Sequence, residues 1–118
     1  MTEFKPLDSN NTEHYTWGEY CDGWHLVNTR ELSVIRERIP AGKGEINHYH
    51  EKAQQFFFIL SGEATFIVNG KEIKVGEQQG IHVLPGIEHK ISNSGNTDLE
   101  FLVISQPHSH GDRVTSNA

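Results

Sequence analysis

The sequence predicts an all-β fold: a single small barrel or jelly roll. Three observations carry this. Between residues 32 and 105 the apolar residues fall in short segments rich in Val, Ile and Phe. Gly, Asn and Pro break those segments at close intervals, and no long stretch repeats with the helical period.

Taken in order, the predicted strands are 32–39, 45–50, 54–60, 64–68, 71–75, 81–84, 89–93 and 99–104. Eight strands suit a closed barrel or jelly roll. The clearest turn is Val68-Asn69-Gly70-Lys71, because Asn-Gly accepts the positive φ angles of a two-residue type I′ hairpin. Ser61-Gly62 and Ser94-Gly95-Asn96 mark further turns. Residues 1–31 are less regular but carry Trp17, Tyr20 and Trp24, rings costly to leave in water, so this segment is expected to pack on the barrel or on a partner subunit. Residues 106–118 have almost no apolar content beyond one Val and are expected to form a mobile tail. The expected organisation is therefore an N-terminal segment (1–31), a barrel (32–105) and a tail (106–118).

Composition narrows the function. A length of 118 residues supports one hydrophobic core, and six Phe, three Tyr and two Trp supply it although the mean hydropathy is only −0.57. A net charge of −6 without any Lys/Arg cluster argues against nucleic acid as a partner. The longest apolar run, 56–60, is far too short to span a membrane. A lone cysteine, Cys21, excludes an intrachain disulfide, and the first residues lack the basic flank and apolar stretch of a signal peptide, so a cytoplasmic location is expected.

Eight histidines are the outstanding chemical feature. A bare HxH triplet would arise by chance about 0.5 times in such a chain, and His108-Ser109-His110 is a second one. His48-Tyr49-His50 differs because it falls in a predicted strand, where alternate side chains share a face and two imidazoles can aim at one point.

The spacing around that pair is more specific. Gly42, five residues, His48-x-His50, four residues, Gln55, six residues and Gly62 form a pattern that resembles the first motif of the cupin family, with Gln55 in place of the usual glutamate. Gly86-Ile87-Glu88-His89, with Asn93 beyond, resembles the second. In this second motif Leu84 stands where a proline usually falls, Pro85 comes one place late, and no glycine sits at the usual upstream interval. The loop before His89 is therefore expected to differ in shape. The resemblance spans residues 34–104.

What the resemblance implies is a cupin jelly-roll barrel, a double-stranded β-helix, with His48, His50 and His89 as metal ligands and Gln55 at the glutamate's place. Gln54 is the alternative fourth ligand; strand alternation puts Gln55, Phe57 and Ile59 on one face and Gln54, Phe56 and Phe58 on the other. Imidazole-rich ligation suits a divalent transition metal, Fe, Zn, Ni, Mn or Cu, over Mg or Ca. A neutral Gln55 would leave the ion its full charge while removing an internal base. His82 is a candidate acid or base, and one parity of Arg36 and Arg38 could meet an anionic substrate. Phe57, Ile59 and Phe66 are candidates to line an apolar cavity, and His108 and His110 could fold back over the metal.

The resemblance implies a metal-dependent enzyme acting on a small organic molecule, either a dioxygenase or an isomerase, lyase or cyclase using the metal as Lewis acid. The alternative is a non-catalytic module binding a sugar or organic acid. A third reading is an interaction barrel, and a homodimer is compatible with all three.

Overall fold

The structure is a computed structural model that describes residues 4–109 and 111–116. Among these residues there are eleven strands and no helix: β1 (Glu13–Trp17), β2 (Cys21–Asn28), β3 (Ser33–Ile39), β4 (His48–His50), β5 (Gln54–Ser61), β6 (Ala64–Val68), β7 (Lys71–Val75), β8 (Gly80–Val83), β9 (His89–Ser92), β10 (Leu99–Gln106) and β11 (Arg113–Thr115). They form two antiparallel sheets, ordered β1-β2-β3-β10-β5-β8 and β11-β4-β9-β6-β7. This is the all-β barrel or jelly roll expected from the strand pattern, in the double-stranded β-helix form that the cupin resemblance implies.

Alternation along the central strands builds the core. In β5 the side chains of Gln55, Phe57 and Ile59 point inward and are buried, and in β10 those of Phe101, Val103 and Ser105 do the same. Across the sandwich they meet Phe66 and Ile91 from the second sheet. Burying each large apolar side chain stabilises the fold by about 1.5–3 kcal/mol. The β6–β7 turn takes positive φ at both Asn69 (49°) and Gly70 (78°), as the Asn-Gly signal requires. Gly62 (φ 88°) lies so close to the Asp98 carbonyl that a Cβ there would sit 2.8 Å from it.

All eight predicted strands are present, with ends shifted by a few residues, and three more were not anticipated. β1 and β2 form a hairpin that extends the first sheet beyond β3. Its inward side chains join the core: Cys21 is fully buried, and Tyr15 and Trp17 pack against it from the same chain. The segment expected to be a mobile tail carries β11, which pairs with β4 in the register Arg113↔His50. Composition misleads there because β11 contributes little apolar surface; what holds it is backbone pairing to a sheet edge. The Asp112 carboxylate adds to this by accepting from the Lys52 and Ala53 amides at 3.0 and 2.9 Å.

Candidate functional site

β4 is only three residues long, so His48 and His50 share its inward face with Tyr49 between them. β9 brings His89 directly opposite His48 as its cross-strand partner. The rings converge, with centroids 4.4 Å apart for His48–His89, 5.1 Å for His48–His50 and 5.9 Å for His50–His89. One nitrogen from each lies within 4.8 Å of the others, and all three side chains are buried.

Two of these rings are oriented by backbone. His48 Nδ1 donates to the Ile46 carbonyl at 2.8 Å, and His89 Nδ1 donates to the Ile87 carbonyl at 2.9 Å. Each Nε2 therefore carries a lone pair. Burial keeps both rings neutral: it pushes His48 down to about 3 and lowers His89, with the Arg113 charge adding to both. The second-motif loop supports the arrangement by folding back on β4, where the Gly86 amide donates to the His50 carbonyl at 2.7 Å. Asn93 is buried and structural, donating to the carbonyls of Ile39 and Thr97.

Gln55 completes the cluster from β5. Its Nε2 donates to Ser105 Oγ at 3.0 Å, so its Oε1 faces His89 Nε2, 3.1 Å away. Two acceptors facing each other in a buried site repel unless a cation lies between them. A divalent cation held by both atoms would remove that repulsion. The residues present thus fit a divalent transition metal.

A cavity of about 230 Å³ opens beside the imidazoles. Its walls include Phe57, Tyr15, Glu37, Glu45, Ser109 and Arg113. Glu37 and Glu45 were not singled out by sequence, although the signal exists: Ile35, Glu37 and Ile39 share one parity of β3, and the outer two are core. Burial pushes Glu37 up to about 7, opposed by the Tyr15 hydroxyl and then by Arg113. Burial pushes Glu45 up to about 8, and the Glu37 charge adds to it.

Other sequence candidates fall elsewhere. His82 is corrected: on β8 it takes the outward parity, is exposed, and its Nε2 meets Gln54 Oε1 at 2.8 Å. Gln54 is outward by the same alternation and donates to Gln106 Oε1. Arg36 and Arg38 also face outward, bound to Glu100 and Asp22. Of the three apolar candidates, Phe57 lines the cavity while Ile59 and Phe66 lie in the closed core. His108 does not reach the imidazoles; its Nε2 contacts Asn28 Oδ1 at 2.6 Å. His110 lies outside the described residues.

The cupin domain model matches residues 35–105. The chain belongs to the cupin family. This cupin is 38% identical over 69 residues to an oxalate-binding protein of Thermotoga maritima, a match covering 58% of this chain and 57% of that protein. It is 31% identical over 81 residues to an uncharacterized protein of Methanocaldococcus jannaschii, covering 68% and 65% of the two chains. The matched segments thus span less than two thirds of either relative. Among solved structures, one from Thermotoga maritima described as a predicted oxalate decarboxylase superposes with TM-score 0.78 at 28% identity, covering 88% of this cupin and all of that chain. KdgF from Halomonas sp. superposes with TM-score 0.82 at 11% identity, covering 92% and 98%, a likeness of fold.

Proposed function

We propose that this cupin holds one divalent transition metal on His48, His50, His89 and Gln55 Oε1 and acts as a metal-dependent enzyme on a small organic acid. The observation that carries the reading is the 3.1 Å approach of two buried acceptors, His89 Nε2 and Gln55 Oε1. A bound ion supplies Lewis acidity, polarising an oxygen of the ligand. The three imidazoles stay neutral and Gln55 brings no charge, so none of the ligands offsets the ion's positive charge. Phe57, Ile35 and Val103 give the cavity an apolar side that limits water. Arg113, exposed at the mouth, offers a guanidinium to a carboxylate. The cavity is smaller than those that bury drug-sized ligands, which favours a molecule of a few carbons.

Elemental analysis and native mass spectrometry of tag-free protein test this. One metal per chain is expected, and no uptake after anaerobic reconstitution would end the reading. Within the enzyme reading, O₂ uptake on adding the organic acid would favour a dioxygenase, and turnover without it an isomerase, lyase or cyclase. The second reading is a non-catalytic binding module. The name of the Thermotoga maritima relative, an oxalate-binding protein, favours it, and a co-purified acid without turnover would decide for it. A homodimer belongs to the proposal as well: Phe56, 38% exposed on the outward face of β5, is the surface it would cover, and light scattering reads the mass. Among the described residues, no helix is long and apolar enough to cross a membrane.

A further inference from the structure

We propose that Glu37 and Glu45 are the acid–base pair of this cavity, moving protons at the end of a small 2-oxo acid that lies away from the histidines. The inference rests on the metal-site reading above and assigns work to two carboxyls which that reading does not use.

The first support is a row of three residues across three strands. Tyr15 on β1 is opposite Gly23 on β2, and Gly23 is opposite Glu37 on β3. The Tyr15 ring lies over Gly23 so closely that a Cβ there would be 2.3 Å from Tyr15 Cζ. Only the missing side chain lets the ring cross β2, and its hydroxyl then donates to Glu37 Oε2 at 2.8 Å. That bond favours the ionised carboxylate and leaves Glu37 Oε1 for a ligand. Glu45 is fixed differently. Its backbone amide donates to the Ile91 carbonyl at 3.0 Å, and its Oε1 accepts from the Ile91 amide at 3.2 Å, leaving Oε2 for the cavity.

The second support is placement. Both carboxyls line the same cavity as His48, His50 and Gln55, and neither belongs to the histidine cluster. The ligand set itself contains no carboxylate, so a base has to come from another wall. Facing the pair are the Tyr15 hydroxyl from β1, the Cys21 thiol from β2, the Arg113 guanidinium from β11 and the His48 and His50 imidazoles from β4. Burial raises the proton affinity of both carboxyls, the Glu37 charge raises that of Glu45 further, and Arg113 lowers that of both, so Glu45 keeps its proton to higher pH than Glu37. Glu45, held higher, is the acid, and Glu37, with the tyrosine donor, is the base.

The ligand class follows from the same walls. Arg113 would take the carboxylate, and an ion held by the histidines would polarise the adjacent carbonyl oxygen. In the forward step the C–H bond next to the carbonyl breaks and its proton forms an O–H bond on Glu37. The C–H electron pair becomes the C=C bond as the carbonyl π pair moves onto oxygen. Glu45 then gives its proton to carbon as the electrons return. The pair has exchanged roles, the proton count is unchanged, and no oxidant or reductant is needed.

The test begins with elemental analysis of tag-free wild type, Glu37→Gln, Glu45→Gln and Tyr15→Phe, then follows solvent deuterium entering the methyl group of pyruvate by ¹H NMR. Wild type is expected to exchange faster than the same concentration of free ion. Each Gln variant is expected to keep its metal and lose about 100-fold in exchange. Tyr15→Phe should keep exchange but move the acidic limb to higher pH, because Glu37 loses the donor that favours its ionised form. In metal-free protein labelled at the Glu carboxyl carbons, pyruvate should shift two resonances that the respective Gln variants lack. Gln variants exchanging at the wild-type rate would overturn the proposal, as would a metal-replete wild type with no exchange above free ion. Loss of metal in the Gln variants would also overturn it, by making both residues structural. Absence of metal from wild type would instead overturn the reading beneath, and the elemental analysis separates the two.

Discussion

Gln55 and Ser105 face each other across the β5–β10 pair, and the amide Nε2 of the first donates to the hydroxyl of the second at 3.0 Å. In that arrangement the amide oxygen is the end that meets His89, at 3.1 Å. Gln55→Glu puts a charge where the amide oxygen stands and should tighten Zn(II) binding by about tenfold or more, read by equilibrium dialysis. Ser105→Ala frees the amide to rotate and should weaken binding by about 10-fold, the lower end for loss of a partner that orients a ligand. Unchanged affinity in both would remove Gln55 from the metal's ligands.

Metal should also stabilise the fold. An ion at 100 times its Kd adds about 2.7 kcal/mol to a protein that binds it only when folded. Thermal melts with and without Zn(II) should therefore differ for wild type and coincide for His48→Ala and His89→Ala. A shift that persists in these variants would place the ion elsewhere, with the exposed His82 and the half-buried His108 the first sites to examine.

The parts of this protein that were legible in its sequence are those written in local patterns. Asn69-Gly70 announces a hairpin because two consecutive positive φ angles exclude most other pairs. His48 and His50 announce a shared face because strand alternation is rigid, and the same alternation separates Gln55 from Gln54, with the structure showing that Gln55 has the inward face. Glu37 was hidden because an inward carboxylate on a strand looks like an outward one until the whole face is known. Its partner Tyr15 lies 22 residues away, and Gly23 reads as a flaw in β2 until the ring that crosses it is seen. The β11 pairing was hidden for a related reason: backbone bonds to an edge strand leave no trace in composition.

Gly23→Ala tests that crossing. Its Cβ would stand 2.3 Å from Tyr15 Cζ and 2.6 Å from the hydroxyl oxygen, so the ring must leave. The expected cost is about 1–3 kcal/mol, the range for overpacking a filled site. In the Tyr15→Ala background the same substitution should cost much less, because the ring it strikes is gone. Equal costs in the two backgrounds, measured by urea denaturation, would mean that Tyr15 does not depend on the space above Gly23.

The strand β11 depends on Asp112, whose carboxylate accepts the Lys52 and Ala53 amides and is held below its usual range mainly by those bonds against the opposing effect of burial. Asp112→Ala should loosen residues 111–116 without unfolding the barrel. Limited proteolysis should then cut near Arg113 while the rest survives, and weaker binding of small carboxylates should accompany the cut. Protection equal to wild type would show that the β4–β11 backbone bonds suffice alone.

The carboxyl pair predicts a pH dependence whose sign can be worked out. Burial pushes Glu37 from the ordinary 4.5 up to about 7 and Glu45 up to about 8. Between those limits the unfolded chain has released protons that the fold retains, so this pair's contribution is complete below about pH 4.5 and is lost as pH rises to about 8. His48, pushed down to about 3, works in the other direction, because the unfolded chain takes its proton first as pH falls below 6.5. Wild type alone would mix the two effects, whereas the difference between wild type and Glu37→Gln/Glu45→Gln isolates the carboxyls. Denaturation of metal-free protein in EDTA at pH 5, 6.5 and 8 should therefore show the double variant gaining on wild type at each step upward. A difference that stays constant from pH 5 to 8 would mean that both carboxyls ionise as they would in water, and the cavity wall would then carry two fixed negative charges in place of a retained proton.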